Sequence, residues 1–379
     1  MAIKAKPSFS LKDQLFNAST VGRLADHVKA AWARFRRDQF VASVLAGFPE
    51  RELKDRITWM AANLEAYLPN THARAREILL AALPEPLDPT RTDDDFGEFI
   101  WAVPAEFVAA YGCSEQHLDE SLAFLHAATM RFSCENAIRP FLNQFPAATM
   151  AFVHRATHDR NYHVRRLASE GIRPLLPWAP RISIALPDII AVLDELHADP
   201  TRYVTRSVAN NLNDISKLEP NLVYAALSRW RDQHRQAPSE LAWMTRHALR
   251  TLKKSHAPEA LRFLGYSQRP KVVVRRQTAP RRIAVGETLD WSAQLQSEAR
   301  QTLAMTLEVD FLKANGRHSA KVFSLADGNY ARGEAISLSK RIAFRPMTTR
   351  TLYPGEHRVR LMVNGKPFDE LQFELVESR

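Results

Sequence analysis

The middle of the chain repeats itself every forty residues. His163-Val164-Arg165-Arg166-Leu167-Ala168, Tyr203-Val204-Thr205-Arg206-Ser207-Val208 and Trp243-Met244-Thr245-Arg246-His247-Ala248 place arginines at 166, 206 and 246. Ile172, Leu212 and Leu252 keep the same register, as do Asp159 and Asp199. A period near forty, with a buried-type Val or Met, then Arg, then a small residue, is the signature of HEAT-like helical pairs. Such pairs stack into a quasi-one-dimensional array with a long concave surface. Glu170, Asn210 and Arg250 are equivalent positions, expected along one face of that stack.

Residues 1–267 read as helical throughout. Apolar residues at helical spacing run through 21–44 (Leu24, Val28, Ala31, Phe35), 51–67 and 72–83, with Pro49, Pro69, Pro84, Pro86 and Pro89 at the joins. Residues 88–95 read as a polar loop, and 119–130 and 132–141 as further helices. From Lys271 the pattern becomes short β-type runs over 272–274, 282–285, 303–311, 321–325, 336–344, 357–363 and 368–376. Turn chemistry lies at Gly286-Glu287, Asn315-Gly316, Asp327-Gly328, Pro354-Gly355 and Asn364-Gly365. This spacing predicts an immunoglobulin-like sandwich. The expected fold class is mostly α: a HEAT-like solenoid over 1–267, then a small all-β sandwich over 268–379, with 268–271 as linker.

The net charge of +10 and pI of about 9.7 favour anionic partners. Residues 268–379 hold 19 Lys+Arg against 12 Asp+Glu, and so carry seven of the ten charges. Cys113 and Cys134 make no metal-ligand spacing and imply no disulfide framework. Residues 1–20 lack the apolar core of a signal peptide, and no run of about 18 apolar residues suggests a membrane span. A cytoplasmic, monomeric protein is expected. There is no Gly-rich phosphate loop or Walker lysine, and His154, His158 and His163 form no zinc spacing, so no cofactor or metal is expected.

Several phrases carry a family likeness. They are Arg131-Phe132-Ser133-Cys134-Glu135-Asn136-Ala137-Ile138-Arg139-Pro140-Phe141, the run from His163 to Gly171, Pro177-Trp178, Val208-Ala209-Asn210-Asn211-Leu212-Asn213-Asp214, and the run from Thr245 to Leu252. Over roughly residues 10–266 the chain resembles the AlkC group of alkylpurine DNA glycosylases. The resemblance implies a glycosylase of base excision repair that removes N3-alkylated bases such as 3-methyladenine, with 3-methylcytosine a further candidate. It implies capture of the lesion in double-stranded DNA on a concave face, without deep base flipping. Some members carry an immunoglobulin-like tail, which the β-rich segment fits. Ile138-Arg139-Pro140 recurs as Ile172-Arg173-Pro174, which suggests equivalent units.

An N3-alkylated adenine is already cationic and leaves with little acid catalysis. The sugar then develops oxocarbenium character. A carboxylate beside it would stabilise that charge and position water, and an aromatic face would hold a cation. By the resemblance, Glu135 and Glu170, on adjacent repeat helices, are the carboxylate pair and Trp178 is the aromatic wall. Asn210 stands where a related subgroup, the AlkD proteins, carries a tryptophan, so a two-tryptophan clamp is not expected. Asn210 and Asp214 are candidates for lining the site. No lysine signals Schiff-base chemistry, so a monofunctional hydrolase is expected.

Phosphate contacts need Lys, Arg or helix N-termini. Arg165, Arg166, Arg206, Arg246 and Arg250 recur near helix starts, and Lys253 and Lys254 follow the third repeat. Of the adjacent pair, Arg166 is expected to be structural, like Arg206 and Arg246, and Arg165 to face DNA. Asp159 and Asp199 are available as partners for the structural arginines. In the tail, Arg275 and Arg276 belong to a basic run that strand alternation would split between two faces. The tail is expected to grip the duplex as one half of a clamp. The alternative is a HEAT-repeat scaffold that binds DNA or protein without chemistry.

Overall fold

Prolines open the first helix of each repeat in the computed structural model, which describes residues 10–91, 96–345 and 351–377. These helices are Pro146–Ala156, Leu186–Leu196 and Pro220–Gln233. Proline suits the first helical turn, where its missing N–H has no partner to lose. Each is followed by a second helix: Tyr162–Glu170, Arg202–Ser216 and Pro238–Ala248. The second helices pack on one another in sequence order. Val164, Val204 and Met244 are fully buried at the same register, and Ala168, Val208 and Ala248 allow close approach four residues on.

Upstream lie Ala18–Ala31, Arg37–Ala46, Leu53–Tyr67, His72–Ala81, Ala102–Gly112 and Leu118–Thr129. The pattern over 21–44 is therefore two helices, not one. The break at Trp32 lets Phe35 and Phe40 both reach the Tyr67 ring, at 6.4 and 5.7 Å. The helix expected over 132–141 starts only at Arg139, after a turn over 135–138. Pro140 explains this: it is tolerated in a first turn but would break a helix running through it. Of the loop over 88–95, residues 92–95 lie outside the described residues.

Charged side chains join one repeat to the next. His126 Nε2 meets Asp159 at 2.7 Å and Arg165 Nε meets Asp199 at 2.5 Å. Thr205 Oγ1 donates to Glu240 at 2.6 Å, and Arg202 pairs with the same carboxylate. Asp159 and Asp199 also accept the backbone N–H two residues on, so each holds a turn as well as a neighbour.

The second compact unit is residues 249–379, and it includes the short helices Arg250–Lys254 and Pro258–Phe263. The boundary at 267/268 thus marks the change of secondary structure, while the change of packing unit falls at 248/249. The strands are β1 (Val272–Thr278), β2 (Arg282–Ala284), β3 (Thr288–Ser297), β4 (Gln301–Leu312), β5 (His318–Tyr330), β6 (Ala335–Ala343), β7 (Gly355–Val363) and β8 (Lys366–Val376). They form a three-stranded sheet, β1-β3-β6, and a five-stranded sheet, β2-β8-β7-β4-β5. Trp291, Leu307, Phe344, Val359 and Phe373 lie in the core between them.

Strand β3 was not among the expected strands, although Leu289, Trp291, Ala293 and Leu295 alternate inward along it. Asp327-Gly328 is not a turn but lies within β5, paired to β4. The Asp327 carboxylate instead receives the Tyr266 hydroxyl at 2.6 Å and the Lys253 ammonium. Asn364-Gly365 does make the expected tight hairpin, both residues at positive φ (46° and 74°).

His357 on β7 is fully buried against Phe311, Phe344 and Phe373. Neither ring nitrogen has a hydrogen-bond partner among the described residues. Burial pushes its imidazole down to about 4, whereas an unfolded histidine titrates near ~6.5. The unfolded chain therefore takes up the proton first. Stability of this unit should be full above ~6.5 and fall as pH drops toward 4. Urea unfolding across that window should show a shallower fall in His357→Leu.

Candidate active site

The Tyr162–Glu170 helix carries Arg166 on the same face as Glu170, one turn away. Arg166 Nη1 donates to Glu135 Oε2 and to Ser133 Oγ, both at 2.6 Å, and Ser133 Oγ donates to the same carboxylate oxygen at 2.8 Å. Arg166 Nη2 lies 3.5 Å from Glu170 Oε1. Its guanidinium sits over the Tyr203 ring, 4.8 Å from the centroid. Burial acts against the Arg166 charge, but Glu170 and Glu135 outweigh it and raise the guanidinium's proton affinity. The two glutamates are thus brought together, joined by one cation. Glu135 stands in the turn before the Arg139–Gln144 helix, not on a helix as expected.

The two carboxylates differ in access. The Glu135 side chain keeps 24% exposure and that of Glu170 only 4%. Glu170 accepts from Arg173 Nη1 and from Ser207 Oγ, each at 2.6 Å. Burial pushes its carboxyl up, but Arg166, Arg173 and the Ser207 hydroxyl hold it below the usual range. Arg173 Nε reaches on to Asp214 at 2.9 Å, and Lys217 meets Asp214 at 3.1 Å. Asp214 is therefore a buried member of this network and not a wall of an open site. Asn210 is half-buried, with His247 Nε2 at 2.8 Å. Arg173, Ser133 and Ser207 were not anticipated; the Ile-Arg-Pro repetition was the signal for Arg173.

Trp178 is 84% exposed, with φ at 57°. Left-handed backbone is unusual for a bulky residue. Its loop is fastened by Arg139, which donates to Pro180 O (2.6 Å), Gly171 O (2.9 Å) and Arg173 O (3.0 Å). Arg181 Nη1 donates to Pro174 O at 2.9 Å, and Asn143 Nδ2 to Arg181 O at the same distance. Lys54 donates to the Trp178 carbonyl, and its ammonium lies 3.4 Å from Asn136 Oδ1, next to Glu135. Lys54 was not anticipated, and no pattern in its surroundings pointed to it.

Of the adjacent pair, Arg166 is structural as expected, held by Glu135 and Glu170, but Arg165 is tied into the stack as well and does not stand free for DNA. Arg165 is the inter-repeat partner of Asp199 and also donates to Asp159 O at 2.9 Å. Neighbouring helix positions point about 100° apart, so one arginine follows the stack and the other the carboxylates. Arg206 lies 5.8 Å over Phe96 and 5.7 Å over Tyr203, and Arg246 is exposed. Arg250, Lys253 and Lys254 fall in the second unit. There Lys253 is tied to Asp327, while Arg250 and Lys254 are exposed. Arg275 and Arg276 are both exposed, because a bulge between Val274 and Arg276 interrupts the alternation of β1. Among the described residues no helix is long and apolar enough to cross a membrane, and no cluster of three or more His, Cys, Asp and Glu could hold a metal ion.

A family profile described as the C-terminal Ig-like domain of uncharacterised protein YhaZ matches residues 272–377. The Bacillus subtilis (strain 168) protein YhaZ, described as uncharacterised, is 32% identical over 367 residues, 96% of this chain and 98% of its own length. The solved structure of Pseudomonas fluorescens alkylpurine DNA glycosylase AlkC, bound to DNA containing an abasic site analog, is 33% identical. It covers 97% of this chain and 99% of its own, with a TM-score of 0.84.

The burial difference separates the glutamates in stability. Glu170→Gln should destabilise the protein by roughly 1–3 kcal/mol, since it removes a buried charge-assisted partner and leaves Arg166 with Glu135 alone and Arg173 with Asp214 alone. Glu135→Gln, at a partly open position, should cost about 1 kcal/mol or less. Urea unfolding of the two variants beside the parent checks this.

Proposed function

The chain belongs to the AlkC family of alkylpurine DNA glycosylases, in the form with a C-terminal immunoglobulin-like domain, and from that premise we propose that it excises cationic N3-alkylated bases from double-stranded DNA. The substrates in this reading are 3-methyladenine and, as a further lesion, 3-methylcytosine. The products are the free base and an abasic site. The reading takes the enzyme as monofunctional, monomeric and cytoplasmic. Cys113 and Cys134 are free thiols, which suits a reducing compartment.

The observation that carries the reading is the partly open Glu135 carboxylate, anchored through one oxygen by Arg166 and Ser133. As the bond to the cationic base breaks, positive charge moves onto the sugar. A fixed anion there stabilises the developing charge without reorganising, and it can orient the attacking water. Glu170 acts in this scheme through Arg166, because its own side chain is buried. The exposed Trp178 indole offers a face to a cationic base or sugar. Capture at such a surface does not require the base to enter a deep pocket.

Base release from methylated duplex DNA tests the proposal. The intact protein should release 3-methyladenine. Glu135→Gln should slow release by roughly 100-fold or more while leaving DNA affinity unchanged. Tight binding with no release by the intact protein would instead favour a non-catalytic scaffold.

Exposed cations supply phosphate contacts in this reading: Arg246, Arg250, Lys254, Arg275 and Arg276, with half-buried Arg206 against the Tyr203 ring that Arg166 also covers. Arg165 and Lys253 are excluded by their ion pairs. Replacing Arg275 and Arg276 by Ser should weaken DNA binding. The slope of log affinity against log salt should shrink by about 0.9 for each lost phosphate contact. Titrations at several salt concentrations measure this, and an unchanged slope removes these two residues from the interface.

A further inference from the structure

Trp178 combines three features that ordinary packing does not explain together. Its indole is 84% exposed, its backbone sits at φ 57°, and the loop on either side of it is held by side-chain donors to backbone carbonyls. An exposed aromatic with no task would need neither the unfavourable backbone nor the fastening. Lys54, from the first turn of the Leu53–Tyr67 helix, donates to the Trp178 carbonyl itself and lies 3.4 Å from the Asn136 amide oxygen. Asn136 follows Glu135 in the same turn. One ammonium group therefore touches the segment carrying the indole and the segment carrying the carboxylate.

We propose that Lys54 is a positioning residue for base excision, fixing the Trp178 indole relative to Glu135 through these two acceptors. The inference rests on the reading of this site as a glycosylase centre. Lysine normally keeps its ammonium in water and buries only its stem. Here the residue is half-buried and the ammonium is directed at a backbone carbonyl and an amide oxygen. Burial pulls its proton affinity down, while Glu106 and Glu135 work to keep it charged. An ammonium has three donors in a compact head, enough to bridge both segments. Misplacing a reacting or binding group by an ångström can cost on the order of 100-fold in rate, so a tie of this kind matters without touching the substrate.

The test uses full-length protein labelled with 5-fluorotryptophan, whose seven tryptophans give resolved fluorine signals, with Trp178 assigned by Trp178→Phe. Lys54→Met keeps the stem and removes the ammonium. It should move or broaden the Trp178 signal while leaving the others in place. It should also slow 3-methyladenine release about 10- to 100-fold, with Lys54→Arg restoring most of the rate. Added to Trp178→Ala, Lys54→Met should slow release little further, because both act through the same indole.

An unmoved Trp178 signal, or fully additive losses, would overturn the proposal. So would a salt slope smaller by about 0.9 in Lys54→Met, which would mark a direct phosphate contact. Absence of release by the intact protein would sink the proposed function and with it a role in excision, whereas a moved Trp178 signal in Lys54→Met would still show that Lys54 fixes the indole. If Lys54→Met fails to fold, Lys54→Gln carries the same comparison.

Discussion

Buried charges set the register of this helical stack. Apolar helix faces such as those around Val164, Val204 and Met244 would tolerate sliding by a turn, because hydrophobic contact is not directional. Ion pairs do not tolerate it. Taking a carboxylate or guanidinium out of water costs several kcal/mol, an order-of-magnitude figure that only a well-placed partner offsets. Arg165 with Asp199, and Arg173 with Glu170 and Asp214, are satisfied in one register only. The candidate site inherits that constraint. Glu135, Arg166, Glu170 and Tyr203 come from three separate segments, and they meet only if the stack is aligned.

What the sequence made legible follows from which forces are local. The forty-residue period reported the helix pairs because each pair repeats the same burial problem. The same period singled out Arg166 as structural through its equivalence with Arg206 and Arg246. It did not show that Arg165 is tied down too, because that depends on where Asp199 arrives from, 34 residues away. The turn at Glu135 was missed, since 132–141 reads as one helix by its apolar spacing, although Pro140 is incompatible with a helix running through it. The exposed indole of Trp178 was not legible: its conformation is imposed by Arg139 and Lys54, neither adjacent in sequence. In the tail, β3 was hidden although its alternation is clear. Asp327-Gly328 reads as a turn until a tyrosine and a lysine from outside the strand claim the aspartate.

The division between buried Glu170 and accessible Glu135 has an electrostatic logic. A carboxylate meant to meet a developing cation must be ionised, oriented and reachable at once. Solvent supplies reach but not orientation, while burial supplies orientation at the expense of reach. Two carboxylates sharing one guanidinium split the task. Glu170, with two arginines and a serine around it, anchors Arg166 from the dry side. Arg166 then fixes one oxygen of Glu135 from below, with Ser133 on the same atom. Tyr203 closes the remaining face of the guanidinium with its ring.

This arrangement also suits the leaving group in the proposed reaction. A neutral base needs a proton donor close enough to touch it, which favours a pocket that encloses it. A base that is already cationic carries its own activation, so the site need only stabilise charge on the sugar and hold an aromatic face against a cation. Both can be done at a surface. A surface site, however, lacks the enclosing walls that would hold its parts still. Rigidity has to come from behind, and here it comes from polar side chains: Arg139 under the Trp178 loop and Lys54 beside it, both bound to backbone carbonyls, and Arg173 beneath Glu170, bound to its carboxylate. The buried polar groups that look costly as stabilising interactions are thus what allows an exposed aromatic and a half-open carboxylate to keep a defined geometry.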